Sequence, residues 1–317
     1  MRFEVLTVLL ALAACSERGG DDAGRPPANA PVRAPEVAAP ATADAASDGA
    51  ADAGQPDVPP AVREALQQAN APAPQPQPGE DRARVALQLI ARNHPDQAEP
   101  VARALVAEYP DQARAAFVLG LSLHKQKRYG DAVPHFESAL AGANAIDPSQ
   151  RGIQFPEHAH VTHFLGWARY YAGDLAGARG AFTSHVAAVP TAGDSWYGLA
   201  LVEIDEDQVN DAAAALERAY ACLPEAERAD EARSRDRGKI LARQGDLALR
   251  ADRTQDAIEL YRRALRAWPD HYEVWAKVAR CYDRLGDAEA ADRARVEELK
   301  ARERMGRLTD APKGSQP

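Results

Sequence analysis

The sequence predicts an all-α protein, a solenoid of about six helix-turn-helix repeats that follows a disordered N-terminal tether. Three observations support this prediction. From Gly79 onwards, alanine and leucine recur with helical periodicity, without a strand pattern. A unit of about 34 residues with short insertions explains the spacing of the helix-ending prolines, which are Pro110, Pro148, Pro190, Pro224 and Pro269. Residues 16–78 are rich in alanine and proline and contain no aromatic residue.

Residues 1–14 have the organisation of a secretion signal. Arg2 precedes an apolar stretch, Val5–Leu12, and small residues follow. A short charged region, an apolar core and small residues before a cleavage site are typical of exported proteins. The sequence therefore predicts a protein of the cell envelope.

The end of this signal resembles the lipobox of bacterial lipoproteins, in the tetrad Leu12-Ala13-Ala14-Cys15. That resemblance implies that Cys15 becomes the first mature residue and carries acyl chains, so that a lipid anchor binds the membrane. Inner-membrane lipoproteins usually have aspartate where this chain has Ser16, which implies the outer membrane and a periplasmic orientation. The alternative is an ordinary secretory signal cut after Ala13 or Ala14.

The segment 15–78 is predicted to be a disordered tether. Residues 16–78 contain nine acidic residues and only four arginines. This composition cannot bury enough apolar surface to offset the loss of chain entropy on folding. The whole chain has 38 Lys+Arg against 47 Asp+Glu and a net charge of −9, so no nucleic-acid partner is expected.

Residues 79–305 form the predicted repeat array, and residues 306–317 a disordered tail. One position in the first helix of the units is always small, as in Gly120, Gly166, Ala200, Gly245 and Ala279. A large residue in the second helix follows, as in Phe136, Phe182 and Tyr261. This alternation resembles the tetratricopeptide repeat family, which implies antiparallel helix pairs that bury their apolar faces against one another.

Two segments depart from the repeat pattern, and each leads to a further prediction. Arg295 and Glu298 replace the usual aromatic residue and alanine of the last unit, which indicates the polar face of a terminal cap. The longest insertion, Glu227–Arg237, is charged and lacks proline. We expect it to extend the helix that follows.

The family resemblance also implies a concave groove lined by the first helix of each unit. The second, fifth, ninth and twelfth positions of that helix would face the groove. The predicted ligand groove is aromatic in the middle and basic towards the C-terminal end, and consists of His160, His163, Trp167, Tyr170, Tyr197, Leu201, Lys239, Arg243, Lys277 and Arg280. We expect Trp167, Tyr170 and Tyr197 to contact a ligand. The alternatives are packing for the aromatic rings and a solvated face for the basic residues.

A metal site is the main alternative to a protein partner. His158, His160 and His163 lie close together in the sequence, and three imidazoles suit Zn²⁺ or Cu²⁺. No cysteine lies nearby, however, and a polar helix start explains the cluster equally well. The sequence has no phosphate loop, nucleophile elbow or Cys-x-x-Cys pair. We therefore expect no enzyme activity, no cofactor and no metal.

These observations predict a membrane-anchored adaptor that binds a protein or peptide partner in its groove. The resemblance is to tetratricopeptide lipoproteins that assist assembly of envelope complexes, such as pilus secretin pilotins. The rival hypothesis is a periplasmic protein that binds a metal or small ligand at His158, His160 and His163.

Overall fold

The computed structural model describes residues 79–229 and 232–310, with side chains to residue 306. The signal peptide 1–14, the anchor Cys15, the tether 15–78 and most of the tail lie outside the described residues. The limits predicted for those segments therefore stay predictions.

The described residues form helices joined by short turns and loops, with no strand among them. One 3-10 helix, η1, spans Pro156–His160. The α-helices are α1 (Glu80–Ala91), α2 (Pro95–Glu108), α3 (Ala113–Lys125), α4 (Tyr129–Ala145), α5 (Pro148–Gln154), α6 (Val161–Ala172), α7 (Leu175–Ala188), α8 (Gly193–Asp205), α9 (Val209–Ala221), α10 (Glu225–Arg228), α11 (Arg235–Arg250), α12 (Thr254–Ala267), α13 (Tyr272–Leu285) and α14 (Ala288–Asp310).

Six helix pairs form the predicted solenoid, which confirms the fold class. The pairs, which we number units 1 to 6, are α1/α2, α3/α4, α6/α7, α8/α9, α11/α12 and α13/α14. Each unit packs on the next through its neighbouring helices. Such stacking lets each unit bury an apolar face that it could not bury alone.

The small-to-large alternation works by close helix approach, as predicted. A Cβ atom added at Gly166 would lie 2.6 Å from the Phe182 ring, and one added at Gly245 would lie 2.5 Å from the Tyr261 ring. Any larger residue at these glycines would force the two helices of the unit apart. The facing rings are themselves buried, with Phe182 and Tyr261 both 0% exposed.

The insertion before α11 differs from its expected form. It does not extend α11, because the chain forms the short helix α10 and a loop before α11 begins at Arg235. Ser234 caps α11 by accepting a hydrogen bond from the backbone N–H of Arg237. The guanidinium of Arg237, which is fully buried, donates to the carbonyl oxygens of Ala229 at 2.6 Å and Ala232 at 3.4 Å. Satisfying loop carbonyls internally stabilises a turn where a longer helix was predicted.

The last helix continues past residue 305 to Asp310. Its outer face is mostly charged and includes Arg295, which bonds Asp283 and Asp292. Val296 and Leu299 on the same helix are exposed. No helix in the described ranges is both long enough and apolar enough to span a bilayer.

Candidate interaction groove

Asp246 on α11 organises the basic part of the predicted groove. It accepts hydrogen bonds from the Tyr261 hydroxyl at 2.7 Å, from Lys277 Nζ at 2.7 and 2.8 Å, and from Arg243 Nη1 at 3.1 Å. These contacts join α11, α12 and α13. Because the carboxylate is satisfied by residues of three helices, it holds Arg243 and Lys277 in place.

The charges of Lys239, Arg243 and Lys277 converge; we call these three residues the cationic end. Burial, together with these three positive charges, lowers the pKa of His271 to about 4, against the opposing effect of Asp246. Three carboxylates offset them: Asp246 at the centre, Asp236 at 3.7 Å from Lys239 Nζ, and Asp194, on which the charge of Lys239 acts. The exposed Arg280 of α13, whose charge reaches Tyr261, adds a fourth cation, so this end of the groove can attract an anionic group.

Tyr170 and Tyr197 connect the cationic end to the aromatic part of the groove. Arg243 lies within hydrogen-bonding reach of Tyr197 on α8. Tyr170 on α6 donates to Asp205 at 2.9 Å. Burial and this carboxylate raise the pKa of Tyr170, which is also sensitive to the charge of Arg243. The predicted groove residues of units 3 to 6 are therefore neighbours in space.

Trp167 lies in the core, in contrast to its predicted place on the open groove. It is only 3% exposed, and its ring meets Phe182 edge-on at a centroid distance of 5.2 Å. The same Phe182 ring fills the space beside Gly166. Packing, which was the alternative for this residue, accounts for the position of Trp167.

Tyr171 is an exposed aromatic residue that was not among the predicted groove residues. Its ring is 52% exposed and stacks between Trp167, at 5.6 Å, and Tyr129 of α4, at 4.6 Å. Tyr171 therefore covers Trp167 and presents the accessible ring of the stack. Tyr171 follows Trp167 by four residues on the same helix, and this spacing was a signal that the two rings meet.

The other predicted positions differ in accessibility. His163, Tyr197 and Leu201 are each less than a tenth exposed. His160, Tyr170, Lys239, Arg243 and Lys277 are half-buried, and Arg280 is exposed. Asp194, next to the groove, has its pKa raised to about 6 by burial and by the charge of Asp236, against the effect of Lys239. Fewer of the predicted groove residues are therefore accessible to solvent than the sequence predicted.

The three histidines proposed as metal ligands do not converge. His158 Nδ1 lies 2.9 Å from the carbonyl oxygen of Phe155, whereas His163 Nδ1 lies 2.7 Å from Ser195 Oγ in the core. No group of three potential ligands is arranged for a metal ion within the part of the chain that the structure describes. His158 lies within η1 and His163 on α6, so the two side chains have different surroundings.

Comparison with known proteins agrees with this architecture. Two sequence profiles described as tetratricopeptide repeat match the chain, one over residues 86–150 and 165–227 and the other over 248–304. Together these matches cover more than half of the chain. The chain belongs to the tetratricopeptide repeat family. The tetratricopeptide array therefore has the fold of a protein-interaction scaffold.

Three solved structures resemble the tetratricopeptide array. PilW, described as a widely conserved type IV pilus biogenesis factor, matches with a TM-score of 0.55 at 16% identity, over 71% of this chain and 93% of PilW. PilF of Pseudomonas aeruginosa matches with a TM-score of 0.53 at 14% identity, over 72% of this chain and 96% of PilF. BtubC from P. vanneervenii matches with a TM-score of 0.52 at 14% identity, over 73% and 94%. At these identities the likeness shows the fold alone.

No protein with curated annotation matches the sequence significantly.

Proposed function

We propose that the protein is a lipid-anchored adaptor of the cell envelope whose tetratricopeptide groove binds an extended, acidic partner segment. The observation that carries this proposal is the continuous series from Tyr171 and Tyr170 to the cationic end. An extended segment with an apolar or aromatic residue near Tyr171 and carboxylates near Arg243 and Lys277 would match that series. Aromatic rings supply contact area at low entropy cost, and paired cations favour carboxylates.

The lipobox-like tetrad supports the anchor, and Ser16 supports the outer membrane facing the periplasm. In this arrangement Cys15 would hold the chain at the membrane, and the tether would let the groove reach a partner at a distance. A role in assembling an envelope complex is compatible with the architecture shared with PilW and PilF. The partner itself would be a component of such a complex.

Capture from envelope extracts, followed by mass spectrometry, tests the groove. The paired variant Lys239→Ala/Arg243→Ala removes two positive charges and should still fold, because Asp246 keeps Tyr261 and Lys277 as donors. We expect it to capture the partner less well than wild type, mostly at low salt, since both charges are partly accessible to solvent and salt screens such charges beyond ~8–10 Å.

A matched control removes the same charge elsewhere. Arg253 and Arg293 are more than half exposed and lie outside the series of groove contacts. The Arg253→Ala/Arg293→Ala variant should capture the partner as well as wild type. Equal capture by both paired variants at low salt would reject the cationic end as a binding surface.

A further inference from the structure

A buried cluster of two histidines and a serine joins unit 3 to unit 4. His163 on α6 and His185 on α7 both point Nδ1 at the hydroxyl of Ser195 on α8, at 2.7 and 2.8 Å. The two imidazole rings lie 5.4 Å apart. All three side chains are at most 4% exposed. The cluster is therefore sealed from solvent at the junction of the two units.

Within the described ranges, no carboxylate contacts this cluster to balance a positive charge. The Nε2 atom of His163 is buried without a hydrogen-bond partner, whereas the backbone of Ala159 favours the charged form of His185 against the larger effect of burial. The charged and titratable groups that face the two rings or adjoin them come from α3, η1 and α8, and they are His124, Lys125, Glu157, His158, His160 and Asp194.

Neither acid in that set is available to the cluster. Glu157 is paired with Arg114 at 2.6 Å and acts on His160. Asp194 couples to Asp236 and Lys239 on α11. A proton taken up by His163 or His185 would thus create a buried charge without a counter-ion, which folded proteins avoid.

The direction of the pH effect follows from burial. Burial and the neighbouring histidines lower the pKa of His163 well below its usual range, and that of His185 to about 4. The same side chains titrate near ~6.5 when the chain is unfolded. The cluster therefore contributes its full stability above pH ~6.5. That contribution is lost progressively as the pH falls from ~6.5 towards the folded pKa.

We propose that the His163–Ser195–His185 cluster is an acid-sensitive joint, which holds unit 3 to unit 4 at neutral pH and loosens α6 against α8 when either imidazole is protonated. These two helices carry Tyr170, Tyr171 and Tyr197. A loosened joint would separate the aromatic part of the groove from the cationic end. The consequence for partner capture rests on the proposed function, whereas the loosening itself does not.

Hydrogen exchange of the full chain, measured by mass spectrometry at pH 7.5 and 5.5 and corrected for the intrinsic exchange rate, tests the joint without a partner. Below its unfolded pKa of ~6.5, each buried histidine favours opening by about tenfold per pH unit, so between pH 7.5 and 5.5 one histidine accounts for about tenfold and two for about a hundredfold. We expect amides of α6, α7 and α8 to exchange about tenfold or more faster at the lower pH. Amides of α1 and α2 should not change.

The double variant His163→Asn/His185→Asn keeps a donor and acceptor near each Nδ1 position but cannot be protonated. It should abolish most of the acceleration in α6–α8. If it does not fold at pH 7.5, the single variant His185→Asn carries the test, and about half of the logarithmic change should disappear. The matched control is His271→Asn, which removes a half-buried histidine between units 5 and 6 whose pKa burial also lowers and should leave the response of α6–α8 intact.

Equal protection of α6–α8 at both pH values in wild type would overturn the joint. So would an undiminished pH response in the asparagine variant that folds. A protein that shows the response but captures no partner at pH 7.5 would keep the joint and reject the proposed groove function.

Discussion

Trp167 and Tyr171 are neighbours on α6 with different surroundings. Trp167 belongs to the apolar cluster of units 3 and 4, and Tyr171 lies over it with half of its ring in solvent. Trp167 therefore contributes mainly to stability, whereas Tyr171 is available for contact with a partner. Substitutions at the two positions should separate these roles.

Trp167→Ala should destabilise the array by about 3–5 kcal/mol, because it leaves a large cavity beside Phe182. Tyr171→Ala should cost about 1 kcal/mol, since it removes only a partly exposed stacking contact. Chemical denaturation monitored by circular dichroism measures both. A Trp167→Ala variant as stable as wild type would place this ring outside the core.

Among variants that fold, Tyr171→Ala should reduce partner capture more than Trp167→Ala does. Tyr171→Ala should weaken capture at all salt concentrations while the helix content stays unchanged, because truncation of an aromatic contact usually removes binding free energy. Tyr171→Phe keeps the ring and serves as the control. Unchanged capture by a folded Tyr171→Ala variant would exclude the aromatic stack from the interface.

At the scale of helices, α10, α11 and the loop between them depend on one buried cation. Arg237 bonds the loop carbonyls, and Ser234 Oγ donates to Glu227 Oε2 at 2.6 Å. The backbone N–H of Ser234 also donates to the carbonyl oxygen of Ala267 on α12, at 3.2 Å. This loop therefore links α10 to both helices of unit 5.

Arg237→Ala should destabilise the protein by about 3 kcal/mol, because it leaves buried carbonyl oxygens without their donor. The control is Arg235→Ala, whose guanidinium stacks on Trp268 near the surface. That change should cost less than about 1 kcal/mol. Thermal denaturation and limited proteolysis between α10 and α11 distinguish them; similar melting temperatures for the two variants would contradict the role of Arg237.

The helix pairs could be predicted from the sequence because each depends on local periodicity and on a glycine that faces a large ring, as at Gly166 and Phe182. The insertion could not, because charged residues are equally compatible with a helix and with a loop whose carbonyls a buried arginine satisfies. The contact of His163 with Ser195 joins residues of different units. No spacing within one repeat indicates such a contact.

The burial of Trp167 also could not be predicted from the sequence. Helical position correctly placed Tyr170 near Arg243, because both lie on first helices of the units. It did not show that Tyr171 covers Trp167, since that depends on the stacking of Tyr171 against Tyr129 of the preceding unit. Residue contacts between units therefore decide which groove positions are accessible.

At the scale of the whole molecule, the proposed function combines an anchor, a tether and an array. Cys15→Ser should remove the thiol that acylation requires. We expect the variant to leave the membrane fraction and to accumulate as soluble or unprocessed protein, as measured by fractionation and immunoblotting. If the variant still sediments with membranes and resists extraction with salt, the lipoprotein interpretation is wrong.

The shared hydroxyl of Ser195 has a consequence for the two histidines that contact it. A serine carries a single hydroxyl proton, and its only hydrogen-bond partners in the described part of the chain are the two imidazole nitrogens. The hydroxyl can donate to only one of them, so the other must itself carry hydrogen on Nδ1 and donate to the oxygen. His163 and His185 are thus fixed as opposite tautomers, and ¹⁵N chemical shifts should show one Nδ1–H and one Nε2–H ring at neutral pH. A pair of side chains that is chemically identical in the sequence becomes chemically distinct through one atom of the next repeat.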